Sequence, residues 1–183
     1  MAQAGKLSRE GIVREAIALL NEGGLEAVSL RKIADRLSAR APSLARHVGD
    51  KAQLLALVSA TIFGEALDAI PEGRSGDAWL EAFGHAIRRK QAETRDISAL
   101  LSIVPPNDAV DGATALRLAA LMQEAGLAGA EAHVELTAIQ ALVTGWMTFE
   151  KSQRAEVFAA RLPMDRAFAH SLKALIAGLA AAR

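Results

Sequence analysis

Apolar residues recur along this chain at spacings of three and four, and the strict alternation typical of half-buried β-strands is absent. The first apolar stripe runs from Ile12 to Leu20. It follows Ser8, a residue suited to an N-cap, and stops before the Gly-Gly pair at residues 23–24. The pattern predicts an all-α protein that opens with this helix.

Two shorter apolar patterns follow in the stretch SLRKIADRLSARAPSLARHVGDKAQLL, residues 29–55. Ser29 is a predicted N-cap for the first of them. Pro42 suits the first position of the second, with Ala41 as its cap, and a turn around Ser38 separates the two. Helices of barely two turns are poorly stable by themselves. Another requirement must therefore keep them short.

Longer helical patterns fill the rest of the chain, and Asp50 is the predicted cap of the first of these. The polar stretch at residues 71–77 has the composition of a loop. With the three helices above, the spacing predicts about nine helices in all, the later six near residues 50–69, 79–87, 96–104, 112–125, 130–152 and 164–182.

The third predicted helix has two chemically different faces. Leu44 and Val48 point inward, whereas Ser43, Arg46 and His47 share the opposite face and can all donate hydrogen bonds. A short helix with a donor-rich outer face, braced by another short helix across a tight turn, is a predicted helix-turn-helix. Its dimensions suit the major groove of DNA.

Composition narrows the classes of protein without adding a site. The 183 residues are half apolar and contain no cysteine, which excludes a disulfide framework and thiolate metal ligation. No apolar run reaches the length of a membrane helix and no leader pattern opens the chain, so we expect a cytoplasmic protein. The net charge is zero, but residues 1–54 carry nine Lys/Arg against six Asp/Glu. A basic head on an acidic body favours a polyanionic partner for the head.

Two segments, IVREAIALLNEGGLEAVSLRKIADRLSA and APSLARHVGDKAQLL, resemble the DNA-binding head of the tetracycline-repressor (TetR) family of bacterial transcription regulators. DAWLEAFGHAIRRKQAETRD and GLAGAEAHVELTAIQALVTGWMTFE are similar, more weakly, to helices of the family's body. The resemblance implies a helix-turn-helix domain at 1–54 and a helical effector-binding and dimerisation domain at 55–183. It also implies a ligand-responsive repressor that binds a palindromic operator as a homodimer and is released by a small molecule.

This chain departs from the family pattern beside the reading helix. Ala45 stands where the family usually has Tyr, and Arg46 follows where the tetracycline branch often has a large aromatic residue. Losing the Tyr removes one expected backbone contact, while Arg46 offers a side chain that commonly reads guanine. Ser38 replaces the usual Gly of the turn, so a strained or re-formed turn is expected there.

The resemblance implies a set of DNA-binding residues in the head. Arg31 and His47 match family contacts, Ser29 and Lys51 sit at helix starts that favour phosphate, and Ser43 and Arg46 are candidates for base reading. For each cation the alternative is a solvated surface charge. The full set is Ser29, Arg31, Lys32, Arg40, Pro42, Ser43, Arg46, His47 and Lys51.

Family members bind small molecules within the body, and bulky apolar residues of this body are candidates for lining such a pocket. The alternative is that they only fill the core. The candidates are Leu67, Trp79, Phe83, Ile87, Leu100, Met122, Leu142, Trp146 and Met147. Leu67 stands where the tetracycline repressor places its drug-binding His, so tetracycline and magnesium are not expected. An apolar or amphipathic effector is predicted instead.

Small residues on the eighth predicted helix and leucines on the last one form candidate homodimer surfaces. The alternative is packing within one chain. The residues are Ala138, Ala141, Gly145, Leu172, Leu175, Ile176 and Leu179. Two reading helices about one duplex turn apart, ~34–36 Å, would match a palindromic operator.

Catalytic and metal motifs are absent from the sequence. The four His are scattered, no Gly-rich phosphate loop or nucleophile elbow occurs, and Asp108 and Asp111 have the character of surface carboxylates. We expect neither an enzyme, nor a metal site, nor a bound cofactor. Two alternatives to a ligand-released repressor stay open: a regulator that activates or needs no ligand, and an all-helical adaptor with a vestigial DNA-binding head.

Overall fold

The computed structural model describes residues 7–104 and 108–182, with the side chains at 108–111 outside the description. Its regular elements are all helical, which confirms the all-α fold. The ten α-helices are α1 Arg9–Gly23, α2 Leu30–Arg36, α3 Ala41–Val48, α4 Lys51–Asp68, α5 Gly76–Glu93, α6 Ile97–Ile103, α7 Asp108–Glu124, α8 Gly129–Glu150, α9 Gln153–Ala159 and α10 Met164–Ala181. A 3₁₀ turn, Leu25–Ala27, follows α1. The helix beyond the predicted nine is α9, which lies between the helices predicted near residues 130–152 and 164–182.

The chain divides into two compact units. Unit 1 comprises Met1–Ile62 and Thr94–Ala113, and unit 2 comprises Phe63–Glu93 and Thr114–Arg183. The functional boundary at residue 54 stays a prediction, and the compact unit that contains α1 to α3 extends to Ile62 and also includes α6. The predicted carboxylates Asp108 and Asp111 lie outside the described side chains. In the described part of the chain, no helix is both long and apolar enough to span a membrane.

Unit 1 has the helix ends that its sequence predicts. The Ser8 hydroxyl accepts a hydrogen bond from the Gly11 amide at 3.1 Å, and the Ser29 hydroxyl accepts one from the Lys32 amide at 3.2 Å. Each serine thereby satisfies a backbone donor that a helix start leaves unpaired. The apolar sides of α1 to α4 then meet in one core.

Arg36, at the end of α2, joins α2 to α1 through two carboxylates. Its guanidinium donates to Glu15 at 2.9 Å and also pairs with Glu22. The hydrogen bond from Arg36 lowers the pKa of the Glu22 carboxyl. This arginine is thus engaged within the fold and differs from the cations of α3.

Arg95 and Asp96, just before α6, contact the turn that ends α1. The Arg95 amide donates to Asn21 Oδ1 at 3.0 Å, and its guanidinium donates to the Glu22 carbonyl at 2.8 Å. Asp96 Oδ2 accepts from the Leu25 amide at 3.0 Å. Gly24 is required here because its φ is +75° and a Cβ would lie 2.4 Å from Asp96 Oδ2.

Unit 2 is built around α5, α8 and α10, which pack against one another. Gly84 of α5 allows their close approach, because a Cβ there would lie 2.7 Å from Leu172 of α10 and 3.2 Å from Ile139 of α8. Arg88 of α5 ties the same three helices by pairing with Glu150 at 2.5 Å and Asp165 at 2.8 Å. The guanidinium also lies 4.7 Å from the centre of the Phe168 ring, within cation–π range.

Candidate functional site: the α2–α3 pair and the buried face of unit 2

The turn between α2 and α3 closes with two backbone hydrogen bonds. The Ser38 amide donates to the Asp35 carbonyl at 3.3 Å, and the Ala39 amide donates to the Ala34 carbonyl at 2.9 Å. This is the Schellman arrangement, which needs a residue with positive φ at the turn. Ser38 occupies that position with φ +50°. The strain expected from Ser in place of Gly is therefore present, and the turn forms nonetheless.

The start of α3 differs by one residue from the sequence prediction. Arg40, not Ala41, is the N-cap, Ala41 is the first helical residue and Pro42 is the second. Proline tolerates either place because amides of the first helical turn have no partner within the helix. The Arg40 side chain makes no capping hydrogen bond and is exposed.

The α3 helix buries one side completely. Leu44 is 0% exposed and Val48 is 3% exposed. Pro42, Ala45 and Arg46 are exposed, whereas Ser43 and His47 are half-buried on the flanks. The predicted shared face of Ser43, Arg46 and His47 is therefore only partly open, and Arg46 is its one exposed residue.

The carbonyl of His47 has a partner that the sequence did not indicate. Arg9 Nε, at the start of α1, donates to this carbonyl at 3.0 Å. A cation at the C-terminal end of a helix satisfies a free carbonyl and complements the helix dipole. No local motif links residues 38 positions apart, so only the fold could reveal this contact.

The α4 helix starts directly after α3 and places a cation at its first position. Asp50 Oδ1 accepts from the Gln53 amide at 2.9 Å, which confirms the predicted cap. Lys51 is the first residue of α4 and is exposed. Its ammonium is therefore available to a phosphate, whereas the Asp50 carboxylate already occupies the Gln53 amide at this helix start.

The five Lys and Arg side chains predicted to touch DNA have no partner among the described residues. All are exposed and none forms an ion pair or side-chain hydrogen bond there; they are Arg31, Lys32, Arg40, Arg46 and Lys51. Arg9, Arg36 and Arg95, by contrast, are hydrogen-bonded within the same unit. Unit 1 thus brings the predicted DNA-binding residues together and leaves their charges available.

The buried face of unit 2 contains eight of the nine predicted effector residues. They share one apolar cluster; the eight are Leu67, Trp79, Phe83, Ile87, Met122, Leu142, Trp146 and Met147. Trp79 and Phe83 stack with ring centres 5.5 Å apart. Leu100 is not among them, because α6 packs it into the core of unit 1. Its apolar character alone could not tell which core it joins.

The predicted dimer residues fall on two different sides of their helices. Leu172 and Ile176 are 0% and 5% exposed because they pack against α5 and α8 within the chain, so they are not surface residues. Leu175 and Leu179 of α10 and Ala138 of α8 are half-buried. Ala141 and Gly145 are exposed on the outer side of α8.

From Val134 to Thr148 the exposed side of α8 is wider than the sequence prediction and consists of small or β-branched residues, and His133 just before it is exposed as well. Val134 is 60% exposed and begins it. The others are Thr137, Ala141, Thr144, Gly145 and Thr148. On α10 the corresponding exposed residues include Ala174, Ala177 and Gly178. These positions followed from periodicity once the buried partners of each helix were known.

In the parts of the chain that the structure describes, no group of three or more His, Asp or Glu side chains could hold a metal ion.

Comparison with known proteins gives concordant matches. The model of the tetR family of bacterial regulatory proteins matches residues 12–58. An HTH-type transcriptional regulator of Saccharopolyspora erythraea is 36% identical over 99 residues, which is 54% of this chain and 42% of that protein. The class D tetracycline repressor protein of Escherichia coli is 32% identical over 50% of this chain and 43% of that protein. The matched region thus spans less than half the length of these curated relatives.

Solved structures match along nearly the whole chain. A TetR variant from Acinetobacter baumannii AYE, in complex with minocycline, has a TM-score of 0.74 at 26% identity and covers 97% of this chain and 99% of that one. ActR from Streptomyces coelicolor, in complex with actinorhodin, has a TM-score of 0.76 at 25% identity and covers 97% of each chain. With the helix-turn-helix geometry of unit 1, these matches show that residues 12–58 are similar to the tetR family of bacterial regulatory proteins and that the fold of the chain is similar to that of TetR-family structures.

Proposed function

We propose that this chain is a ligand-responsive transcriptional regulator. In this proposal it binds a palindromic operator as a homodimer, represses transcription from it and is released by a small molecule. The observation that carries the proposal is the set of exposed cations on and around α2 and α3 that have no ion pair or side-chain hydrogen bond with any described residue. Because bacterial DNA lies in the cytoplasm, the proposal also places the protein there.

The dimensions of α3 support binding in the major groove. Eight residues extend about 12 Å along the axis, and the major groove is about 12 Å wide and about 8.5 Å deep. We assign the phosphate contacts around α3 to four exposed cations, Arg31, Lys32, Arg40 and Lys51. Ser29 caps the start of α2. Phosphate contacts of this kind fix the protein on the duplex, and base contacts then select the sequence.

A homodimer is supported by the outer sides of α8 and α10. Small side chains such as Ala141, Gly145 and Ala177 are exposed there. Small side chains of this kind allow another helix to approach closely. We assign the partner as a second copy of this chain, because two identical heads are what a palindromic operator requires.

An effector is supported by the aromatic and methionine side chains buried in unit 2. Trp79, Phe83 and Trp146 offer flat apolar surfaces, and Met122 and Met147 can adapt their shape to a guest. We propose an apolar or amphipathic molecule of the size class seen with minocycline or actinorhodin in the structural neighbours. We do not propose tetracycline itself, because Leu67 stands where the tetracycline repressor places its drug-binding His.

Regulation would follow from linkage between two sites. An effector that binds better to the form with low DNA affinity must shift the population toward it, and DNA must weaken the effector by the same factor. We propose that this coupling changes the spacing of the two heads, so that both half-sites can no longer be met together.

Selection from a pool of random-core duplexes near physiological salt tests the proposal. The native protein is expected to enrich a palindrome, and an Arg31→Ala, Arg46→Ala double variant is expected to lose that enrichment. The matched control is an Arg154→Ala, Arg166→Ala variant, which removes two exposed cations from unit 2 and should select the same palindrome. Absence of enrichment for the native protein, even at low salt, would contradict the proposal and favour the adaptor function.

A further inference from the structure

We propose that Arg46 reads a guanine in each operator half-site, which makes it a specificity-determining residue and places a G·C pair under the centre of α3. The inference rests on the proposed function and names a feature of its DNA partner. Neither the aromatic residue usual at this position in the tetracycline branch nor the alanine beside it could make this contact.

The position of Arg46 on α3 is the first observation. Successive residues of an α-helix are about 100° apart, so Arg46 lies about 180° from the mean direction of Leu44 and Val48. Those two residues are 0% and 3% exposed and fix the inner side of the helix. Arg46 therefore projects from the middle of the outer side, whereas Ser43 and His47 lie on the half-buried flanks.

The second observation is that Arg46 performs no structural task among the described residues. It is exposed and has no ion pair or hydrogen bond there. Arg36, ten residues earlier, shows the contrast, because two carboxylates hold its guanidinium within the head. An arginine at the centre of a recognition face, with all its donors free, is available for a ligand.

The chemistry of the neighbouring side chains leaves Arg46 as the main reader. Pro42 and Ala45, the other exposed residues of the outer side, carry no side-chain donor or acceptor. A guanidinium offers only donors in a planar fork. Guanine offers two adjacent acceptors, N7 and O6, in the major groove, while adenine pairs its N7 acceptor with an amino donor. The fork therefore selects guanine.

A phosphate contact is the competing role for any exposed arginine. It fits the residues at the edges of the helix pair, such as Arg40 at the N-cap of α3 and Lys51 at the start of α4. A side chain directed away from the buried side of α3 points to the floor of the groove when the helix lies in it. The base edge is thus the partner that the position of Arg46 favours.

A protein-by-base double-mutant cycle tests the assignment. The operator selected by the native protein is compared with one in which a single guanine per half-site is replaced by adenine, or by 7-deazaguanine, which lacks the N7 acceptor. Binding is measured for native protein, Arg46→Ala and Arg46→Lys, with Lys51→Ala as the phosphate-contact control. Thermal unfolding of each variant checks that the head remains folded.

We expect one guanine per half-site at which either replacement weakens native binding by about 5- to 150-fold for each half-site altered. Arg46→Ala should bind the original and replaced operators almost equally, while Lys51→Ala should keep the full preference for guanine. Equal loss by Arg46→Ala on every sequence, with a lower salt dependence, would identify a phosphate contact and overturn the inference. A selected palindrome whose guanines are all insensitive to Arg46 would overturn it too, while leaving the proposed function intact.

Discussion

The outer sides of α3 and α8 are both exposed, yet they present opposite chemistry. On α3 the exposed side carries Arg46 between residues without polar side chains, and free cations surround it. On α8 the exposed side carries valine, threonine, alanine and glycine over four turns. Long Arg and Lys side chains can donate hydrogen bonds to the phosphates and to the base edges in the grooves of DNA. A helix face of small side chains instead allows another helix to pack closely against it. The same all-α plan thus provides two different kinds of contact.

The largest effect is expected from placing a charge on the exposed side of α8, among its small side chains. Ala141→Glu would bury an unpaired carboxylate in the proposed dimer interface, at a cost of about 3 kcal/mol or more. The protein should become monomeric in analytical ultracentrifugation and lose most of its operator affinity. Gln123→Glu, an exposed position on α7, adds the same charge and should stay dimeric. A dimeric Ala141→Glu variant would remove α8 from the proposed interface.

The inner side of α8 can be tested through Gly84 of α5. Gly84→Ala would place a Cβ 2.7 Å from Leu172 and 3.2 Å from Ile139, so the packing must shift. We expect a loss of about 1–3 kcal/mol in the free energy of unfolding, measured in urea. Gly112→Ala in α7 is the control, because nothing lies within 4 Å of its added Cβ. If the two variants are equally stable, the close packing at Gly84 is not as described.

The charges that surround α3 should act without sequence preference. Lys51→Ala is expected to weaken binding to every duplex by a similar factor, because phosphates are the same in all sequences. The slope of log affinity against log salt should fall by about one per half-site. Arg166→Ala removes an exposed cation from α10 and should leave the slope unchanged. An unchanged slope for Lys51→Ala would mean that this lysine does not contact phosphate.

The smallest effect concerns the turn that leads into α3. Ser38→Gly should raise the free energy of unfolding by about 0.5–1 kcal/mol, because φ +50° is strained for serine and not for glycine. Thermal unfolding measures this change, and Ser98→Gly within α6 should instead destabilise the protein. Equal or lower stability of Ser38→Gly would show that the Schellman turn carries no such strain.

Sequence could predict unit 1 well because its signals are local. Ser8, Ser29 and Asp50 each precede the helix that they cap, and the predicted burial of Leu44 and Val48 is confirmed. The predicted start of α3 was wrong by one residue, because proline fits either of the first two positions of a helix and Pro42 occupies the second. The direction of Arg46 followed from the spacing of its buried neighbours.

What the sequence could not supply depends on contacts between distant segments. Leu100 looks like any other buried leucine, and only the packing of α6 places it in unit 1. Leu172 and Ile176 have the spacing of an interface as well as that of a core, and their contacts with α5 and α8 decide for the core. Arg9 and His47 are joined by a hydrogen bond across 38 residues, which no pattern within one helix can show.

The contacts of Arg95 and Asp96 with the end of α1 limit how this protein can be engineered. Ile97 and Leu100 are 1% and 0% exposed in the same core as α1 to α4. A chimera that takes only residues 1–54 as the proposed DNA-binding module would leave that core without five of its buried side chains, Leu55, Val58, Ile62, Ile97 and Leu100. It would also leave the Leu25 amide without its hydrogen-bond partner. The transferable module is therefore discontinuous in sequence and needs residues 55–62 and the segment from Thr94 to Val104 as well.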